Sequence, residues 1–252
     1  MEDHRMNTWI KIARYHLLKR FTYLALPWAW TAFGFAVDLL VFGLIPVSHG
    51  RHWVMTPSGL AQVQDTPSGR DAAGLAGIVI VYFVLGVVSI AQELPFALAL
   101  GVSRRSYYAG TALLGVALAA VNGLLLTALQ AIERATGGWG ESVHVFQVPY
   151  VLNGPWYLTW LTSSVALALL FGWGMWFGIV YRRWNLPGAL AFTAAQVTVL
   201  LAAALAITWS HAWVGAGHFF TALSAAGLTG LLAALAAALL AGGYATIRRA
   251  TV

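Results

Sequence analysis

The sequence predicts an all-α integral membrane protein with six transmembrane helices and both termini cytoplasmic. Three observations carry this expectation: composition, the length of the apolar runs, and the placement of the few charges. Of 252 residues, 60% are hydrophobic and only 9% charged. A soluble domain carries about 25% charged residues, so this chain cannot build a water-facing surface of its own size. An ordinary cytosolic enzyme and a disordered tail are both excluded. Crossing roughly 30 Å of hydrocarbon takes about 20 apolar residues, and several stretches reach that length.

Taken in chain order, the first element is basic. Met6, Trp9, Ile10, Ala13 and Leu17 recur at helical spacing, with Arg5, Lys11, Arg14, Lys19 and Arg20 on much of the remaining surface. This pattern predicts an amphipathic interfacial helix over 5–20, serving as an anchor on anionic lipid, as a partner contact, or as both. A first span follows near 24–46 and carries Asp38. Its apolar run exceeds an ordinary signal-peptide core and no small-x-small cleavage site follows, so it reads as a retained span. Further spans are expected near 74–92 and 107–131. Between them, Leu94–Val102 is apolar but too short to cross, and it begins with Pro95. It reads as a short surface-lying helix rather than a seventh span.

A fourth span is expected near 157–180. From Trp184 to Ile247 no Lys, Arg, Asp or Glu occurs, which is too long for one helix. The polar, Gly-containing stretch Trp209–His218 breaks it into spans near 188–208 and 220–246. No repeat is evident, and residues 1–252 form one membrane domain. The connections near 49–73 and 133–155 are too short to fold as independent domains.

Orientation follows from the basic residues. Arg5, Lys11, Arg14, Lys19, Arg20, Arg104, Arg105, Arg182, Arg183, Arg248 and Arg249 fall on one side, and only Arg51, Arg70 and Arg134 on the other. Eleven against three places both termini inside. The net charge of +6 is therefore a topology signal and not a nucleic-acid stripe. Trp156, Trp160, Trp209 and Trp213 fall at expected outer ends, and Trp28 and Trp184 near inner ends, as interfacial belts. Trp173 and Trp176 sit deeper and should pack on another helix.

Groups for chemistry are scarce. There is no cysteine, no G-x-x-x-x-G-K-[ST] loop, no H-E-x-x-H, no G-x-S-x-G and no paired intramembrane carboxylate. The chain is not expected to be an enzyme, and no catalytic, cofactor or metal residue is assigned. Energised work would draw on a partner or an ion gradient. His49, His52, His144, His211 and His218 read as solvated loop residues rather than metal ligands. Gly174 and Gly178 fit a small-xxx-small packing face.

Asp38 costs about 2.5–3.5 kcal/mol to place mid-span, so something must compensate. It lines a pathway or subunit interface, or it is a protonated or snorkelling carboxylate bonded to a neighbouring helix. Asn122 and Gln196 are candidate polar partners between helices.

The second connection is the most informative. A Pro-initiated turn, Gly101 as a helix stop, two arginines and then a span make a stiff surface element that a docking partner could push. On physical grounds alone it also reads as a positive-inside anchor. The run PFALALGVSRRSYYAGTAL resembles the cytoplasmic connection of type-2 permeases of the ATP-binding cassette family, above all bacterial exporters of the actinobacterial kind. The motif Tyr181-Arg-Arg-Trp-Asn185, the segment Gly137-Gly-Trp-Gly140 and the six-span count are consistent with that group.

The resemblance implies a dimeric permease, with a second copy or a sister permease. Residues 93–105 would be its coupling helix, resting on a separate nucleotide-binding subunit that holds ATP and Mg. It carries the coupling role onto Pro95, Phe96, Leu98, Gly101, Ser103, Arg104 and Arg105, and implies export across a bacterial cytoplasmic membrane. The alternative is a gradient-driven secondary carrier with Asp38 as its ion or proton site.

Overall fold

The computed structural model describes residues 21–44, 51–56, 59–64, 73–137, 139, 145–146, 155–213, 215 and 224–249. The expected interfacial helix over 5–20 lies outside them, as do His144 and His218.

Helix α1, Leu26–Leu44, is entered through a π-helical turn at Phe21–Ala25. Strands β1, Arg51–Thr56, and β2, Gly59–Gln64, form an antiparallel hairpin in which Arg51 pairs with Gln64 and Thr56 with Gly59. This hairpin is the one departure from helix among the described elements. Helix α2, Ala73–Val88, runs through a π-helical turn, Ser89–Glu93, into the short α3, Leu94–Ala99. Helix α4 is Arg104–Ala135. A helical segment Trp156–Trp209 is interrupted at Asn185, whose φ of 53° and ψ of −151° are not helical, two residues before Pro187. We number its halves α5, 156–184, and α6, 186–209. Helix α7 is Ala225–Arg249.

Length and composition make Leu75–Ala99, Arg104–Ala135, Trp156–Trp209 and Ala225–Arg248 long and apolar enough to cross a membrane, and Tyr23–Val37 is a shorter apolar helix. The architecture is compatible with a multi-pass helical membrane protein. At 1.5 Å per residue the 54-residue segment would extend about 80 Å, over twice the hydrocarbon thickness, so the kink at Asn185 is what makes it compatible with a bilayer.

The core is formed where α5 meets α2 and α4, around buried Tyr82, Tyr107, Tyr108, Phe171 and Met175. Backbone apposition is closest between α2 and α5. A Cβ on Gly86 would collide with the Phe171 carbonyl, and one on Gly174 with the Phe83 carbonyl. The small-xxx-small face at Gly174 and Gly178 is thus occupied within the chain, by α2. Without interhelical hydrophobic force in lipid, such close packing supplies the attraction.

The expected deep tryptophans do pack on other helices: Trp173 stacks edge-on against Phe83 at 5.2 Å, and Trp176 lies 5.8 Å from Phe192. Trp28 departs from the expected inner belt, because its indole turns into the core (below). Helix α6 is the outlier of the assembly. Only Ala189 on it is buried, while Val199, Leu200 and Leu205 are each more than 60% exposed.

Candidate functional site

The second connection is built from two back-to-back helix signals. Pro95 has no N–H for the carbonyl four residues earlier, and its ring crowds that carbonyl. The widened π turn over Ser89–Glu93 relieves both, so the helix continues through the proline instead of starting at it. This differs from the expectation of a separate Pro-initiated helix: α3 is a stiff extension of α2. The turn is also held from outside. Tyr23 donates its hydroxyl to Glu93 Oε2 at 2.8 Å, and Tyr107 donates to the Ser89 carbonyl at 2.7 Å.

Helix α3 ends in a Schellman motif. The Val102 N–H reaches the Ala97 carbonyl at 3.1 Å, and the Gly101 N–H reaches Leu98 at 2.9 Å. That closure requires a left-handed residue, and Gly101 supplies it with φ 81°. After Val102, Ser103 in extended backbone caps α4, its Oγ accepting from the Ser106 N–H at 3.2 Å. The chain therefore reverses between α3 and α4 within a few residues.

This corner gathers basic residues from three helices. Arg104 and Arg105 open α4, Arg182 and Arg183 lie near the end of α5, and Arg248 lies near the end of α7. A crevice of about 30 Å³ is lined by Leu98, Arg104, Arg182, Arg183 and Ile247, so these side chains converge. Arg183 also stacks its guanidinium 4.7 Å over the Trp184 ring. Arg105, Arg182, Arg183 and Arg248 are exposed, and so are Phe96 and Leu100, at 52% and 66%. Pro95 and Leu98 are half-buried. Of the residues singled out by sequence, all seven of the second connection thus sit at or beside one basic end.

The intramembrane polar residues do not assemble in the same way. Asn122 is buried and ties three helices together: Trp28 Nε1 donates to its Oδ1 at 2.7 Å, while its Nδ2 donates to the Tyr82 hydroxyl at 2.6 Å and the Leu118 carbonyl at 2.8 Å. Asn122 is therefore a structural clasp of α1, α2 and α4. Gln196 is half-buried on α6, one helical turn from Phe192. Asp38 falls on α1, and its side chain lies outside the described residues.

Glu133, which no sequence motif marks, is fully buried. Its Oε2 accepts from the N–H groups of Val145 and Phe146, at 3.1 and 2.9 Å, and from the Trp139 indole at 3.0 Å. Phe35 packs on Trp139 and Phe146 at 5.0 and 5.9 Å, adding an aromatic cover. Beneath Phe146 a mainly apolar cavity of about 160 Å³ lies between α2, α4, α5 and α7, with Gln130, Thr159, Thr162 and Ser163 in its wall. The only sequence signal for the buried acid was its place four residues before the aromatic, Gly-rich segment 137–140.

Chemically, the basic end can hold anions or acidic protein surface through guanidinium hydrogen bonds, and Phe96 and Leu100 can insert into an apolar partner. No protein-family model matches the chain, and no curated protein and no solved structure matches it either.

Proposed function

We propose that the chain is the membrane-spanning subunit of an ATP-driven exporter in a bacterial cytoplasmic membrane. In this reading it crosses six times, α5 and α6 being separate spans, and both termini are cytoplasmic. Two such chains, or one with a sister permease, enclose the substrate path. A separate nucleotide-binding subunit carries ATP and Mg, and this chain hydrolyses nothing itself.

The observation that supports this most is the build of the 89–105 corner. An element that transmits force must be stiff and must present something to grip. Helix α3 is stiff because it continues α2 and is braced by Tyr23 and Tyr107. It presents exposed Phe96 and Leu100 beside Arg105. ATP-driven closure of the partner would move α2 and α4 together, because Gly101 and the Ser103 cap leave little slack between them. Energy then enters as a difference in stability between two permease conformations. The exposed apolar surface of α6 suits a second permease copy or lipid.

Purification of the chain together with an ATP-binding-cassette ATPase encoded in the adjacent reading frame, where one is found, tests the reading. The expected result is a stable complex whose ATP hydrolysis uncouples from transport in the Arg104→Gln, Arg105→Gln double variant. A chain that never retains an ATPase, and transports normally with both arginines replaced, overturns it.

A further inference from the structure

The basic end holds a second feature, which shares Ser103, Arg104 and Arg105 with the coupling corner. Between the start of α4 and the end of α7 lies an open cleft of about 680 Å³, whose polar wall is Ser103, Arg104, Arg105, Ser106, Tyr244 and Arg248. Its apolar floor is Ala109 and Ile247, and no Asp or Glu is among its described lining residues. We propose that this cleft binds the phosphate headgroup of an anionic phospholipid from the leaflet at the basic end.

The case rests on charge, hydrogen-bonding capacity and continuity with lipid. Arg105 and Arg248 are both exposed and come from different helices, so a group seated between them is approached by guanidinium from two sides. Guanidinium matches phosphate oxygens in pairs, and the Ser106 and Tyr244 hydroxyls in the same wall add donors, while the Ser103 hydroxyl is spent on Ser106 Oγ at 2.9 Å. The two walls are fixed relative to each other. The Tyr108 hydroxyl, on a buried side chain, donates to the Leu240 carbonyl at 3.0 Å, and its ring lies 6.1 Å from Tyr244. A preformed cleft loses less entropy on binding than one that must first assemble.

Away from the arginines the helices turn apolar. On α4, Leu113 and Val116 follow Ala109 at helical spacing and are 53% and 43% exposed. On α7, Ala241 and Ala237 are exposed in the same relation to Tyr244. A soluble anion would use only the mouth of such a cleft, whereas a lipid would also lay its acyl chains along these faces. Basic pockets between membrane helices are recurrent headgroup sites. The proposal needs only that this end meet a leaflet, and is independent of whether an ATPase binds there.

Native mass spectrometry of the detergent-purified full chain tests it, with phosphatidylglycerol, phosphatidylcholine and inorganic phosphate as probes. The wild-type chain should retain phosphatidylglycerol about tenfold better than phosphatidylcholine, and inorganic phosphate at equal concentration should not displace it. Each arginine lost should weaken retention about fivefold. The Arg105→Gln, Arg248→Gln double variant should therefore lose about 25-fold, while Arg134→Gln, at the far end of α4, should lose nothing. Equal retention of the two lipids, displacement by phosphate, or full retention by the double variant would each overturn the proposal. If the double variant does not fold, the wild-type comparison of the two lipids decides alone.

Discussion

The two ends of α4 handle charge in opposite ways. At its start Arg105 stands exposed, alongside exposed Arg182, Arg183 and Arg248 from other helices. About 42 Å further along the same helix, Glu133 is sealed from solvent and receives N–H groups from Trp139, Val145 and Phe146. The basic end leaves its charge exposed at the surface. The acidic end spends its charge internally, closing a lid of aromatic rings above an apolar cavity. Counting charges by side cannot tell these uses apart, because both ends satisfy the same topology arithmetic.

This contrast predicts that variants at the two ends will fail differently. Glu133→Ala should be the most damaging. It strands three donors that were bonded to a carboxylate, which should cost about 3–5 kcal/mol and appear as a large drop in detergent melting temperature. Glu133→Gln keeps one acceptor oxygen and should fall between alanine and wild type. If Glu133→Ala melts like the wild type, the lid is not a structural closure.

Asn122→Leu should rank next, at about 1–2 kcal/mol, because the Trp28 indole and the Tyr82 hydroxyl both lose a partner inside the bundle. Trp28 fluorescence is not separable among the 12 tryptophans, so thermal unfolding is the suitable readout. Gly101→Ala should cost about 1 kcal/mol through its left-handed φ alone, since no atom lies within 4 Å of the added Cβ. A loss well above that would mean the corner tolerates no change in angle. Arg105→Gln should alter stability by less than about 0.5 kcal/mol while weakening whatever docks. A stability loss as large as that of Asn122→Leu would move Arg105 from display to structure and blur the contrast.

How far the sequence foretold this arrangement depends on the range of the interaction concerned. Gly101 as a helix stop was legible because the left-handed requirement is local, and the break near Asn185 because Arg182 and Arg183 interrupt the apolar run. The helices themselves followed from apolar run length, within a few residues at each end. The continuity of α2 into α3 was not legible, because a π turn leaves no pattern of its own and Pro95 read as a beginning. The Asn122 clasp joins residues 40 and 94 positions apart, and no periodicity reports such a meeting. Glu133 was missed for a related reason: two of its three donors are backbone groups, which every sequence possesses. The small-xxx-small face at Gly174 was visible, but its partner helix was not.

The chain's lack of cysteine allows the central claim to be tested directly. Leu100→Cys places a single thiol on the exposed tip of α3, and Ile132→Cys places one at the opposite end of α4, where Ile132 is 48% exposed. Each variant, in membranes that also contain the proposed ATPase partner, is treated with a short thiol-to-amine crosslinker. The account predicts that Leu100→Cys captures the ATPase, with a yield that changes on adding ATP, and that Ile132→Cys captures none. Capture from Ile132→Cys, or none from Leu100→Cys with the ATPase present, would contradict it.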